Sequence, residues 1–391
     1  MITIQNSELN TNIILLLLVL GIFFTINKKV DKKSILFDKE TSLELRGMSA
    51  IFIIFSHIAH LVVTNDDFLY PLRNIASVGS DLFLFISGYW LTSGLLKKEV
   101  SIIEFYKTRS IKIFKTLWIV LTFLFLMDYF LLNKEYELFY IIRSYFAIFP
   151  SAYADTDISS PMWYLSWLLM FYILLPIFFM KNKLWLTSLI LAIISSIIGI
   201  YNVFDVQANW LHKIHTLAFP LGIFVADIIF KHKNNKNTFI YINLLSTKLK
   251  EKLNFLSKII FHVKKINKNI LNYSILIFIF LTFAYIVKNK YSFETEYLIE
   301  IPNYIKLQVL NLILMFLLLI FFLIKNFNIK LFSYIGNYSY QIYLLHLPLI
   351  LRYDIFFKNL PIWLGVILWF LTLILISHII QKYILLEKKD D

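Results

Sequence analysis

Arg46 and His57 stand eleven residues apart, which on a helix leaves them within about 20° of one line and ~16.5 Å apart along the axis. They share one face. Ser49 and His60 fall within roughly 60° of the same line, so a polar stripe runs through a segment that is otherwise apolar. Ionisable groups at membrane depth are costly, and a histidine there can take and return a proton near neutral pH, which is what activating a hydroxyl against a thioester needs. Arginine suits phosphate groups. The plainer alternatives are that Arg46 snorkels to mark one membrane face and that His57 bonds a neighbouring helix.

Three further stretches carry polar chemistry. In Val78-Gly79-Ser80-Asp81 through Ser87-Gly88-Tyr89, small residues permit close helix approach, and Asp81 is a buried carboxylate able to orient a histidine or pair with an arginine. Phe105-Tyr106-Lys107-Thr108-Arg109-Ser110-Ile111-Lys112 puts Arg109 and Lys112 one turn apart, as a phosphate clamp or a topological anchor. Tyr334 to His346 sets Gly336, Ser339, Tyr343 and His346 on one face, where His346 supports substrate, supports His57 or bonds another helix. The chain has no cysteine, which removes disulfides, thiolate metal sites and a cysteine-linked acyl intermediate. No metal is expected.

These residues need elements built for lipid. The chain is 59% hydrophobic with mean hydropathy +0.71, and runs such as Asn12 to Ile26, Leu310 to Ile324 and Ile362 to Ile376 are uncharged over nearly a bilayer's thickness. The reading is an all-α polytopic membrane protein. Spans are expected near 10–27, 43–63, 74–96, 113–133, 161–180, 184–202, 211–230, 271–288, 304–324, 332–351 and 362–384, eleven in number. The net charge of +13 comes from Lys and Arg lying between apolar runs, so it reports topology and not a nucleic-acid partner. With the N-terminus outside, the inner loops hold 28 Lys and Arg and the outer loops 9. The C-terminus is then cytoplasmic. Residues 1–10 lack the positive charge of a cleavable leader, and Lys28, Lys29, Lys32 and Lys33 follow the first apolar run. The expected organisation is an N-terminal helix and basic loop over 1–42, then one membrane domain over 43–391, with a basic cytoplasmic loop at 231–270.

In combination these motifs resemble the acyltransferase-3 family of membrane acyltransferases, over residues 43 to about 384. The resemblance rests on Leu45-Arg46-Gly47 through His57, on Gly79-Ser80-Asp81 through Tyr89, and on Phe105-Tyr106 with Arg109. Trp163-Tyr164-Leu165, Phe171-Tyr172 with Pro176, and Ser339, Tyr343, Leu344 and His346 follow in order. It implies a ten-helix core behind one extra N-terminal helix. It also implies His57 as the catalytic residue, helped by Asp81 and His346, and Arg46, Arg109 and Lys112 gripping the donor. Tyr89, Trp163, Tyr172, Ser339 and Tyr343 are its candidate substrate contacts. Two positions depart from the usual pattern: Lys112 stands where many members have a second arginine, and Leu168 and Leu169 where many have a glutamate pair.

The implied reaction moves acetyl or another short acyl group from cytoplasmic acetyl-CoA to a hydroxyl of a surface polysaccharide, such as capsule or O-antigen, or of a polyprenyl-linked glycan. The implied location is the bacterial inner membrane. Two other classes compete. Asp66-Asp67 and Asp155-Thr156-Asp157 in outer loops would suit a lipid-linked-sugar glycosyltransferase or polymerase, and buried His and Arg would suit a carbohydrate or lipid transporter.

Overall fold

The computed structural model describes residues 6–28, 37–62, 68–149, 162–201, 210–234, 277, 279, 282–283, 301–325, 327–353, 356–357 and 360–384. In a hydrocarbon medium every backbone amide must find its partner within its own segment, so apolar runs of this length become helices. In chain order they are α1 (Ser7–Phe24), α2 (Lys39–His57), a short α3 (Tyr70–Arg73), α4 (Ala76–Lys97), α5 (Ile102–Leu132), α6 (Leu138–Tyr145) and α7 (Trp163–Ile177). Then follow α8 (Leu184–Tyr201), a short α9 (Trp210–Lys213), α10 (Ala218–Asn234), α11 (Ile301–Ile324), α12 (Lys330–Asn337), α13 (Ser339–Leu351) and α14 (Ile362–Ile379). Among the described residues seven helices are long and apolar enough to cross a membrane, and α7 and α13 are shorter apolar helices. The protein is a multi-pass, all-α membrane protein.

Ten of the eleven expected spans fall on described helices. The span at 271–288 lies almost wholly outside the described residues, as do Asp66, Asp67, Asp155, Asp157 and most of the basic loop. Two expected helices are each divided. The 211–230 span becomes α9 and α10 with a turn between them, and 332–351 becomes α12 and α13, broken at Tyr338 (φ −108°, ψ 8°). The second break follows from packing: Gly336 presses α12 against α2, while the Tyr338 hydroxyl bonds His378 Nδ1 at 2.8 Å on α14.

At the centre stand α2 and α4. Leu45, Ile51, Ile54 and Ile58 are almost wholly enclosed, whereas α1, α5 and α8 turn Leu, Ile and Phe outward, as a lipid-facing ring requires. Close approach at the centre depends on glycine. A β-carbon on Gly47 would overlap the Phe332 carbonyl and one on Gly336 the Leu43 carbonyl, so α2 and α12 cross backbone to backbone. Gly88 and Gly222 do the same for α4 and α10.

The bundle is pinned at both ends by buried charge. At the end carrying Arg46, Asp38 caps α2 by accepting from the Thr41 amide at 2.7 Å. Beside it Glu44 accepts from Lys325 Nζ at 2.5 Å and from the Ile329 amide. A two-stranded antiparallel ribbon, β1 (Ile26–Lys28) with β2 (Phe327–Ile329), closes over this pair. At the other end Asp128 of α5 binds Arg352, Tyr136 and Tyr353. Both Glu44 and Lys325 are within 1% of full enclosure, so Lys325→Met strands a buried carboxylate and is expected to cost about 3–5 kcal/mol. The thermal unfolding of purified protein reads this; an unchanged midpoint would mean that Glu44 finds water instead.

Candidate active site

His57 is the last residue of α2, half-buried, and a single π-helical turn (Ile58–Val62) follows it. That wider turn breaks the polar stripe read from the sequence. His60 is exposed and bonds the Arg73 carbonyl at 3.0 Å, and Ser49 Oγ donates back to the Leu45 carbonyl at 2.7 Å. Each is hydrogen-bonded to a backbone carbonyl. The partner of His57 is His346 of α13, fully enclosed, with His57 Nδ1 and His346 Nε2 2.8 Å apart and the rings 4° from parallel.

The hydrogen bonds assign the protons. His346 Nδ1 lies 2.7 Å from the Tyr343 carbonyl, and a carbonyl only accepts, so Nδ1 carries the hydrogen and Nε2 carries a lone pair. His57 Nδ1 must then donate to it. What remains is the lone pair on His57 Nε2, the nitrogen of a half-buried ring. This is the arrangement of a general base whose tautomer is held by a second residue.

Arg46 lies at the far end of the same helix face, within electrostatic reach of Tyr164 and Tyr172 of α7. Tyr172 is in turn within reach of Arg109. The structure therefore gathers Arg46, Arg109 and Tyr172 around one region. Rings lead from there to the histidines: Tyr164 packs on Tyr343 at 5.4 Å and Tyr343 on His346 at 5.7 Å. The Tyr164 hydroxyl is enclosed without a hydrogen-bond partner among the described residues.

Asp81 orients a histidine, but a different one. Its carboxylate accepts from His215 Nδ1 at 2.7 Å, both groups at or within 1% of full enclosure. His215 and nearby His212, in the turn around α9, went unremarked in the sequence. Trp163 stacks on His215 at 5.6 Å and lies the same distance from His212, and Trp167 stacks on His212 at 4.6 Å. Beside them, between α5 and α7, opens a cavity of about 590 Å³. Its lining includes Arg109, Tyr106 and Tyr172 together with Ser166, Trp167 and His212.

The other sequence candidates lie elsewhere. Tyr89 is buried against Phe37 (4.7 Å) and Trp90, Lys112 is exposed on α5 outside the cavity lining, and Ser339 is enclosed at the start of α13. Among the described residues no three His, Asp or Glu side chains gather as a metal site would require.

The chain matches the family described as "Acyltransferase domain", acyltransferase-3, over residues 42–380. It belongs to that family and is an enzyme that transfers acyl groups. No curated protein and no solved structure matches it.

Proposed function

We propose that the protein transfers an acetyl or other short acyl group from cytoplasmic acyl-CoA to a hydroxyl of a cell-surface polysaccharide or its polyprenyl-linked precursor, with His57 as general base. The observation that carries this reading is the chain from the Tyr343 carbonyl through His346 to His57, which leaves His57 Nε2 ready to accept a proton. The acceptor hydroxyl oxygen attacks the thioester carbonyl as its proton passes to His57 Nε2. The tetrahedral intermediate then expels the thiolate, which takes that proton and leaves as the thiol.

Arg46 and Arg109 supply positive charge for the donor's phosphates. The excess of 28 over 9 basic residues supports a cytoplasmic Arg46 end, an outside N-terminus and a cytoplasmic C-terminus in a bacterial inner membrane. Donor phosphates would then dock about 16 Å along the helix from the base.

The test is proton NMR of surface polysaccharide from cells with and without the protein. Loss of the O-acetyl signal at unchanged polymer length is the expected result. Shortened polymer would turn the reading toward polymerisation, and an unaltered acetyl signal would refute the acceptor class.

A further inference from the structure

Between the expected spans at 113–133 and 161–180 the chain builds α6, and the outward face of this helix is apolar. On α6 and the return after it, Leu138, Phe139, Ile142, Phe146 and Ile148 stand exposed, Phe139 at 74% and Phe146 at 66%. A contiguous patch of that kind marks a lipid or protein contact. Where α6 sits in the bilayer decides which.

The depth follows from α5. Its 31 residues reach about 46 Å, well beyond the ~30 Å of hydrocarbon. Glu104, Lys107, Arg109, Lys112 and Lys115 crowd the first half, so the excess length lies there, on the Arg46 side where Arg109 and Arg46 meet at Tyr172. From Thr116 to Leu132 the one charge is Asp128, enclosed and bound to Arg352, while Trp118, Leu126 and Phe130 face outward. That half lies in lipid. The chain then doubles back along it: Tyr136 bonds Asp128, Tyr140 and Tyr145 pack on Phe125, and Trp118 Nε1 donates to the Tyr145 carbonyl at 2.9 Å. From the level of Asp128 to that of Trp118 the descent is about 15 Å.

Backbone that leaves a helix at such depth must have its polar groups answered by protein. The Phe146, Ala147 and Ile148 amides donate to the Ile142, Ser144 and Arg143 carbonyls. At the tip Ala147 turns the chain with φ 58°, and Ser166 Oγ of α7 donates to the Ala147 carbonyl at 2.8 Å while accepting from the Phe149 amide at 3.3 Å. The one charge on α6, Arg143, is half-buried over the Tyr140 ring at 4.7 Å. We infer that residues 138–149 form a re-entrant hairpin that dips into the bilayer from the face opposite Arg46 and rests its apolar patch on lipid acyl chains. The patch continues the lipid-facing surface of α5, which argues for hydrocarbon as its partner. Phe146, Ala147, Ile148 and Phe149 also line the 590 Å³ cavity, so the hairpin stands as the partition between that cavity and the acyl chains.

The cysteine-free chain allows a nitroxide label at one site at a time. Full-length protein carrying Phe139→Cys, Ile142→Cys or Phe146→Cys is labelled, placed in nanodiscs of phosphatidylcholine and phosphatidylglycerol, and measured by power-saturation EPR. Two relaxing agents are compared: oxygen, which partitions into hydrocarbon, and a nickel chelate, which stays in water. Glu135→Cys, exposed just ahead of α6, is the aqueous reference. The three native side chains are exposed, so cysteine there leaves the packing intact. The expected result is strong oxygen collision and loss of the nickel collision seen with Glu135→Cys, with depth increasing from Phe139 to Phe146. Nickel collision as strong as the reference would make α6 an aqueous loop and overturn the inference. Protection from both agents would mean that protein, such as a second copy of the chain, covers the patch, and lipid would be the wrong partner.

Discussion

Membranes containing His57→Ala at wild-type abundance are expected to transfer labelled acyl groups about 10³–10⁴-fold more slowly than wild type, the scale of a lost general base. His346 gives the finer test, because its part is to hold a tautomer. In His346→Leu the His57 Nδ1–H loses its acceptor, the ring is free to present the wrong nitrogen, and the rate is expected to fall roughly 10²-fold. His346→Asn offers an amide oxygen in the same direction and recovers part of that loss. Equal rates for His346→Leu and wild type would sink the relay. A His57→Ala enzyme that kept full activity would remove the base itself.

The second large effect concerns backbone contact. On α4 and α10, a β-carbon at Gly222 would overlap the Phe85 carbonyl and one at Gly88 the Phe219 carbonyl, so neither side can yield by turning a side chain. Gly222→Leu must push the helices apart. Asp81 on α4 bonds His215, just ahead of α10, and separation would break that enclosed bond as well. The expected cost exceeds about 3 kcal/mol, beyond ordinary overpacking. Size-exclusion chromatography in detergent should show aggregate with no monodisperse peak. Gly94 provides the control, since the nearest atom to its β-carbon position is the flexible end of Arg109 at 3.8 Å. Gly94→Ala is expected to stabilise by up to about 1 kcal/mol through helix propensity. Similar behaviour of the two variants would contradict the packing account.

Most of the bundle can be read from hydropathy, because a lipid solvent leaves uncharged runs such as Leu310 to Ile324 little choice but helix. The breaks at Tyr338 and before Ala218 cannot. Apolar periodicity continues across both, and the interruption comes from neighbours that pull on it. His57 and His346 each stand out as imidazoles at membrane depth, yet nothing local states that residues 289 apart in sequence share a hydrogen bond. His212 and His215 carry the same signal, two imidazoles at the start of the apolar span at 211–230. Tyr89 shows the converse. Its place in a motif drew it toward substrate, while its ring fills space against Phe37.

The ribbon closed by β1 and β2 has a consequence for biogenesis. Ile26 pairs with Ile329, so the strand that follows α1 meets its partner only after about 300 further residues have been made, some 15–60 s at ordinary translation rates. For that interval α1 is held to the growing bundle without its ribbon, by contacts such as the Leu69 amide donating to Thr11 Oγ1 at 2.9 Å. The clasp seals only once residue 329 has left the ribosome, so a chain terminated before that point reaches quality control with α1 unlatched at this ribbon.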